Sequence, residues 1–222
     1  MRWIRSVIAL AWIASLVVGM PSLAVARVRA GVELGVNYSS LDYDDLGRPP
    51  MSLWDPGWRA SFTGGATLQF PLRGRFDLVT GLRYVQQGNR VKVDEAEAPP
   101  LHAEFRIYQD YVSVPALLTY YPSTKQRFFL SLGPEVGFLV AARSIIHYSS
   151  PPFPDASTDE KDGMEGINVT LDAAAGYEFP AGDHVAITSL RYTHGVTGVA
   201  KEDHWVTDWQ TRGVEFLVGM RW

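Results

Sequence analysis

The sequence contains no cysteine, so it can build no disulfide framework, zinc–thiolate site or cysteine nucleophile. In an oxidising compartment such a chain must be held by hydrogen bonding and packing alone. A basic excess is also missing: the formal charge is −4, the opposite of the electrostatic footprint of a nucleic-acid binder, so no nucleic-acid partner is expected. Beyond the N-terminal segment, no apolar run approaches the roughly 18 residues a membrane-spanning helix needs, which excludes a helical membrane protein. What remains, with 46% hydrophobic and 20% charged residues, is the composition of a folded domain rather than of a disordered or coiled-coil chain.

The N-terminal segment reads as an address. Arg2 and Arg5 precede an apolar stretch from Val7 to Val18, and Ala24, Val25 and Ala26 supply the small-x-small pattern that a signal peptidase accepts. The alternative, a transmembrane anchor, would need a longer apolar stretch, and Pro21 interrupts its end. Residues 1–26 are therefore expected to be a cleaved signal peptide and residues 27–222 the exported domain.

The exported domain alternates with period two, the signature of strands. Val28, Ala30, Val32, Leu34, Val36 and Tyr38 lie on one face, and Arg29, Gly31, Glu33, Gly35 and Asn37 on the other. From Trp58 to Phe70 the pattern repeats, with Thr63, Thr67 and Gln69 on the polar face. The same reading places strands near 76–91, 105–121, 127–143, 167–179, 184–194 and 211–222, eight in all. Their connections alternate in length. Short turns at Pro71–Arg75, Pro122–Gln126 and Pro180–Asp183 separate longer segments near 39–57, 92–104, 144–166 and 195–210.

Even strand number, alternating connection length and aromatics at both ends of the apolar faces are features of a bacterial outer-membrane barrel. The fold expected is all-β, an eight-stranded antiparallel up-and-down transmembrane β-barrel in the outer membrane of a Gram-negative cell, in contact with its lipid. In the last strand, Val214, Phe216, Val218, Met220 and Trp222 alternate with Glu215, Leu217, Gly219 and Arg221. That strand looks like the recognition segment read by the barrel assembly machinery, with Trp222 as its terminal residue. An open edge this apolar would aggregate, so the sheet is expected to close. Pro115, inside a strand, cannot donate a ladder bond and is expected at a bulge or an under-paired position.

Two stretches carry a family resemblance. Tyr111-Val112-Ser113-Val114-Pro115-Ala116-Leu117-Leu118-Thr119-Tyr120-Tyr121 and Phe128-Phe129-Leu130-Ser131-Leu132-Gly133-Pro134-Glu135-Val136-Gly137 resemble the PorT-type outer-membrane β-barrel family. Arg191-Tyr192-Thr193-His194-Gly195 is similar to that family's Arg-Tyr strand before its last long loop, while Val114 stands where isoleucine is usual. The resemblance implies location and fold. For activity it implies only the family's spread between secretion accessories and barrels of unassigned role.

The inside of an eight-stranded barrel is just wide enough to be filled by side chains. Its charged members, read from the polar faces, are Arg29, Glu33, Arg59, Asp77, Arg83, Glu135, Asp172, Glu178, Arg191, Glu215 and Arg221. Because buried charges persist only when paired, these residues are expected to form an arginine–carboxylate network rather than the lining of a wide pore.

Chemistry has little to stand on. Thr193-His194-Gly195-Val196 superficially resembles the motif of lipid A hydrolases, but Val196 occupies the serine position, so the alternative of a lipid A-modifying hydrolase using His194 with Glu202 or Asp203 lacks a nucleophile. His102, His147 and His204 share long loops with Asp155, Asp159, Glu160, Asp162 and Glu165, without metal-ligand spacing. Trp54, Trp58, Trp205 and Trp209 fit an interfacial girdle. No metal and no cofactor are expected, and the protein is expected to be non-enzymatic, with the four long loops contacting an envelope protein partner.

Overall fold

A computed structural model of the chain describes residues 28–43, 55–95, 101–123, 127–148, 155–200 and 209–222; the expected signal peptide lies outside the described residues, as do Trp54, Trp205, Glu202, Asp203 and His204. Ten strands occur among the described residues: β1 (Arg29–Tyr43), β2 (Asp55–Gly57), β3 (Arg59–Pro71), β4 (Phe76–Glu95), β5 (Leu101–Tyr120), β6 (Phe128–Tyr148), β7 (Ala156–Asp159), β8 (Ile167–Ala181), β9 (His184–Gly195) and β10 (Trp209–Arg221). The short strands β2 and β7 extend the sheet beside β4 and β6. The other eight pair antiparallel with their neighbours, and β10 returns to β1 through Gly31↔Arg221 to Tyr43↔Trp209, so the sheet closes into an up-and-down barrel.

Closure follows from the alternation. On β1, Val32, Leu34, Val36 and Tyr38 are exposed while Asn37 and Ser39 are buried; on β10, Phe216, Val218 and Met220 are exposed while Glu215 and Arg221 are buried. A globular protein in water has the reverse arrangement. Here the apolar residues form an outer belt and the polar ones the core, and lipid can satisfy no backbone group, so every ladder must find a partner within the sheet.

The turns at one end are tight. Leu72 N donates to Phe76 O at 2.9 Å around Gly74, and Ala181↔His184 leaves only Gly182 and Asp183 between β8 and β9, with Gly182 at φ 64°. At the other end the strands outrun the sequence reading. Pairing between β4 and β5 continues to Glu95↔Leu101, so residues 92–95 and 101–104 of the expected loop at 92–104 belong to strands. Strand β6 runs on to Tyr148, and β7 with a 3-10 turn at Lys161–Gly163 occupies much of the expected loop at 144–166. The strand signal faded there because alternation is imposed by lipid. Above the membrane the backbone ladder persists without an apolar face, and Lys92, Asp94 and Glu95 interrupt the pattern but not the pairing.

Pro115 sits where the β4–β5 ladder skips from Thr80↔Ala116 to Arg83↔Ser113, an under-paired position as expected. The bulge lies further along, where Asp110↔Ala141 is followed by Tyr111↔Leu139 and Val140 is the extra residue.

Candidate functional site

The lumen is built in layers. Its centre holds two arginines and four acids from six strands. The guanidinium of Arg83 on β4 lies 3.0 Å from Glu33 on β1, 2.7 Å from Glu135 on β6 and 2.5 Å from Glu215 on β10, and Nη2 also donates to Thr63 Oγ1 at 3.0 Å. Arg191 on β9 lies 3.3 Å from Glu33, 3.4 Å from Glu135 and 3.8 Å from Asp172 on β8. Ser113 donates to Glu135 Oε1 at 2.6 Å, and Thr170 to Asp172 Oδ1 at 3.0 Å. Arginine suits this position because its planar fork presents donors in several directions at once. Arg83 is 1% exposed and Glu215 2%, so water reaches neither and the lumen is occluded at this level.

Nearer the tight turns a second group forms around Arg221, which donates to Gln69 Oε1 and Glu178 Oε1, each at 2.9 Å. Tyr121 donates to Glu178 at 2.7 Å, and Gln69 reaches both Tyr121 and Asp77. Toward the opposite end, Asn168 donates to Thr211 Oγ1 at 3.2 Å and accepts from Thr197. Above these polar groups the lumen turns apolar: Leu41, Tyr111, Leu139, Ala142, Met164 and Val199 pack together with Ile107 beside them. Met164 and Val199 come from connections, not barrel strands. A bridge between Met164 and Ala200 and a bond from Glu165 N to Val199 O at 2.8 Å fold the two connections inward.

The structure thus gathers Glu33, Arg83, Glu135, Asp172, Arg191 and Glu215 in one cluster and Asp77 and Arg221 in a second. Arg29 is exposed at the start of β1. Arg59 joins neither: its guanidinium lies 3.9 Å from the Tyr108 ring centroid, and Nη1 donates to Gln87 O at 3.2 Å. Met164 and Val199 were missed by sequence reasoning. Nothing in their local pattern marks a loop residue as one that plugs a lumen.

The remaining candidates stay dispersed. His147 pairs with Asp155 at 2.6 Å on the exposed surface, Glu160 accepts from Ser144 and Asp159 from the Lys161 backbone. Among the described residues no three such side chains gather around a metal position. His194 is exposed on β9 opposite Leu171 and Arg212, with Val196 exposed beside it. Trp58 stacks on Tyr38, ring centroids 5.2 Å apart and 15° from parallel, on the outer face.

At the rim, on the outward face of β4 and β5, Glu104 lies 2.5 Å from both Arg90 and Arg106. The hydrogen bond from Arg90 holds the Glu104 carboxyl below the usual carboxylate range. Trp58, Arg59, Ala60, Arg90, Arg106 and Tyr108 line a groove of about 290 Å³ here.

A family model described as outer membrane protein beta-barrel domain matches residues 20–201. Three solved structures are similar to the chain. The attachment invasion locus protein Ail of Yersinia pestis, in complex with the heparin analogue sucrose octasulfate, is 15% identical, with 89% of this chain and 100% of that one covered and a TM-score of 0.39. Neisserial surface protein A is 14% identical, with 86% and 95% covered and a TM-score of 0.43. OprG from Pseudomonas aeruginosa is 12% identical, with 86% and 94% covered and a TM-score of 0.37. No curated protein matches the sequence.

Proposed function

Since the chain belongs to the outer membrane protein beta-barrel domain family, we propose that it is a non-enzymatic outer-membrane barrel whose extracellular hairpins and loops contact an envelope protein, as a structural or secretion accessory of the PorT type. The observation that carries this reading is the sealed lumen. Charged side chains fill its centre and an apolar plug covers them, which leaves the outer surface and the extended β4–β5–β6 ribbon to do the work. Binding on small scaffolds usually resides in such projections.

Export and insertion belong to the same proposal. Residues 1–26 direct secretion and are removed, so that the mature chain begins at Arg27, which N-terminal sequencing of the membrane form tests. The strand ending at Trp222 is read by the barrel assembly machinery; removing Trp222 lowers the folded yield in cells more than in detergent refolding.

A photo-crosslinker placed singly at His147 and Ser157 in living cells tests the contact. The expected result is one discrete protein adduct from one of these exposed positions and none from Leu34 on the lipid face; adducts from neither contradict the reading. Lipid A mass spectrometry of cells with and without the protein tests the enzyme alternative. An unchanged acylation profile is expected. A change reversed by wild type but not by His194→Ala would replace the proposal with a lipid-modifying activity.

A further inference from the structure

On the outward face of β3 to β6, the apolar belt gives way to aromatic and arginine side chains. Phe62, Leu82, Val114 and Phe138 are exposed to lipid; farther from the tight turns come Trp58, stacked on Tyr38, and Tyr108, and around them stand Arg59, Arg90, Arg106 and Arg143. The alternation fixes their direction. On β5, Gln109, Tyr111 and Ser113 are buried in the lumen, so Arg106 and Tyr108 point away from it. Arg59 reaches the same face across Gly88, whose φ is 146° and where a Cβ would lie 2.0 Å from Ile107 O, so no side chain can intervene.

Charge at this rim is unbalanced. Glu104 bridges Arg90 and Arg106, whereas the guanidiniums of Arg59 and Arg143 rest on the Tyr108 ring, 3.9 and 5.3 Å from its centroid. Among the described residues Asp110 and Asp159, which pairs across the ladder with Arg143, are the other carboxylates close by, so four guanidiniums face three acids. Aromatic side chains mark the level where acyl chains give way to headgroups. Arginine binds phosphate oxygens in bidentate fashion, and the groove of about 290 Å³ between Trp58, Arg90 and Tyr108 is open to the lipid side.

The geometry points to a binding site for a phosphorylated glycolipid headgroup of the outer leaflet, held by Arg59, Arg90 and Arg106 against Trp58 and Tyr108. The occupant is lipid rather than free phosphate because the groove continues the lipid-facing belt. A lumenal or loop-tip site would have no such continuity. This site is independent of any protein contact made by the loop tips.

The test uses the full barrel refolded in phosphatidylcholine vesicles containing a small fraction of purified bisphosphorylated lipid A, or of the same lipid stripped of its phosphates. Lipid retained after detergent release is read by native mass spectrometry. Wild type retains the phosphorylated lipid and not the stripped one. Arg90→Gln with Arg106→Gln lowers retention about tenfold or more per guanidinium, while the exposed Arg127→Gln at the opposite end leaves it unchanged. Heat-modifiable migration checks that each variant is folded, and the comparison of the two lipids on wild type needs no variant at all. Equal retention of both lipids, or undiminished retention by the folded double variant, overturns the site. Release of the lipid by millimolar inorganic phosphate overturns the choice of occupant.

Discussion

The two halves of the lumen fill the same cylinder by opposite means. The centre is packed with Arg83, Arg191 and four carboxylates, each supplied by a barrel strand; the half away from the tight turns is packed with Leu41, Tyr111, Leu139, Met164 and Val199, two of them delivered by connections. The charged half is tied to strand register. A slip of one residue would turn Arg83 into the lipid and strand three acids. The apolar half is tied only to volume and to the inward fold of two loops. The barrel therefore takes its specificity from the centre, and the upper plug can vary without changing the topology.

The largest expected effect breaks the charged half. Arg83→Ala removes the nearer of the two arginines that Glu33, Glu135 and Glu215 share, leaving them only the longer contacts to Arg191, and should destabilise the barrel by about 3–5 kcal/mol, measured by urea titration in vesicles. Arg83→Lys recovers only part of this, since an ammonium is a point charge without the fork. A loss under 1 kcal/mol for Arg83→Ala would mean the ion pairs are dispensable packing. Removing one partner of a buried set is costly even where the set itself contributes little net stability, so the result speaks to specificity rather than to total strength.

Next in size is the contrast between faces. Arg at Leu34, Ala66 or Val218 should cost roughly 2–4 kcal/mol near the bilayer midplane, whereas Arg at Thr67 or Gly219, which point inward, is governed by the space available. Equal tolerance on both faces would contradict the register. In the apolar half, Met164→Ala should cost about 2 kcal/mol, at the low end for a buried methionine because a loop relaxes more readily than a strand. It should also leave the membrane as tight as before, because the charged layer beneath still fills the bore.

The smallest effect is electrostatic and lies at the rim. Glu104 is held below the usual carboxylate range by Arg90, so its folded form favours the charged state. The stability it lends the β4–β5 hairpin is present above the ordinary carboxylate pKa of about 4.3 and is lost as pH falls through the lowered value. Both arginines are exposed, which limits the contribution to less than about 1 kcal/mol. Protection of the hairpin amides, taken relative to the intrinsic exchange rate at each pH, should fall across this window in wild type and stay flat in Glu104→Gln.

Strands, inside–outside assignment and closure were legible because lipid enforces a strict period of two on every membrane-crossing segment. The central cluster was legible for the same reason: Glu33, Arg83, Glu135, Asp172, Arg191 and Glu215 are charges on the polar side of apolar strands. Their partition into two groups, and the departure of Arg59 to Tyr108, depend on stagger around the barrel, which no single strand records. The β4–β6 extensions and the plugging by Met164 and Val199 were not legible, since above the membrane the chain needs neither alternation nor a fixed side-chain type to stay paired.

Planar-bilayer recording of the refolded barrel tests the account most directly, because it asks whether the two halves together close the bore. Wild type and Met164→Ala are expected to show no steady single-channel current, with leakage appearing only when the charged layer is disrupted as in Arg83→Ala. A large, steady conductance from the wild-type barrel would contradict the sealed lumen and restore a transport reading.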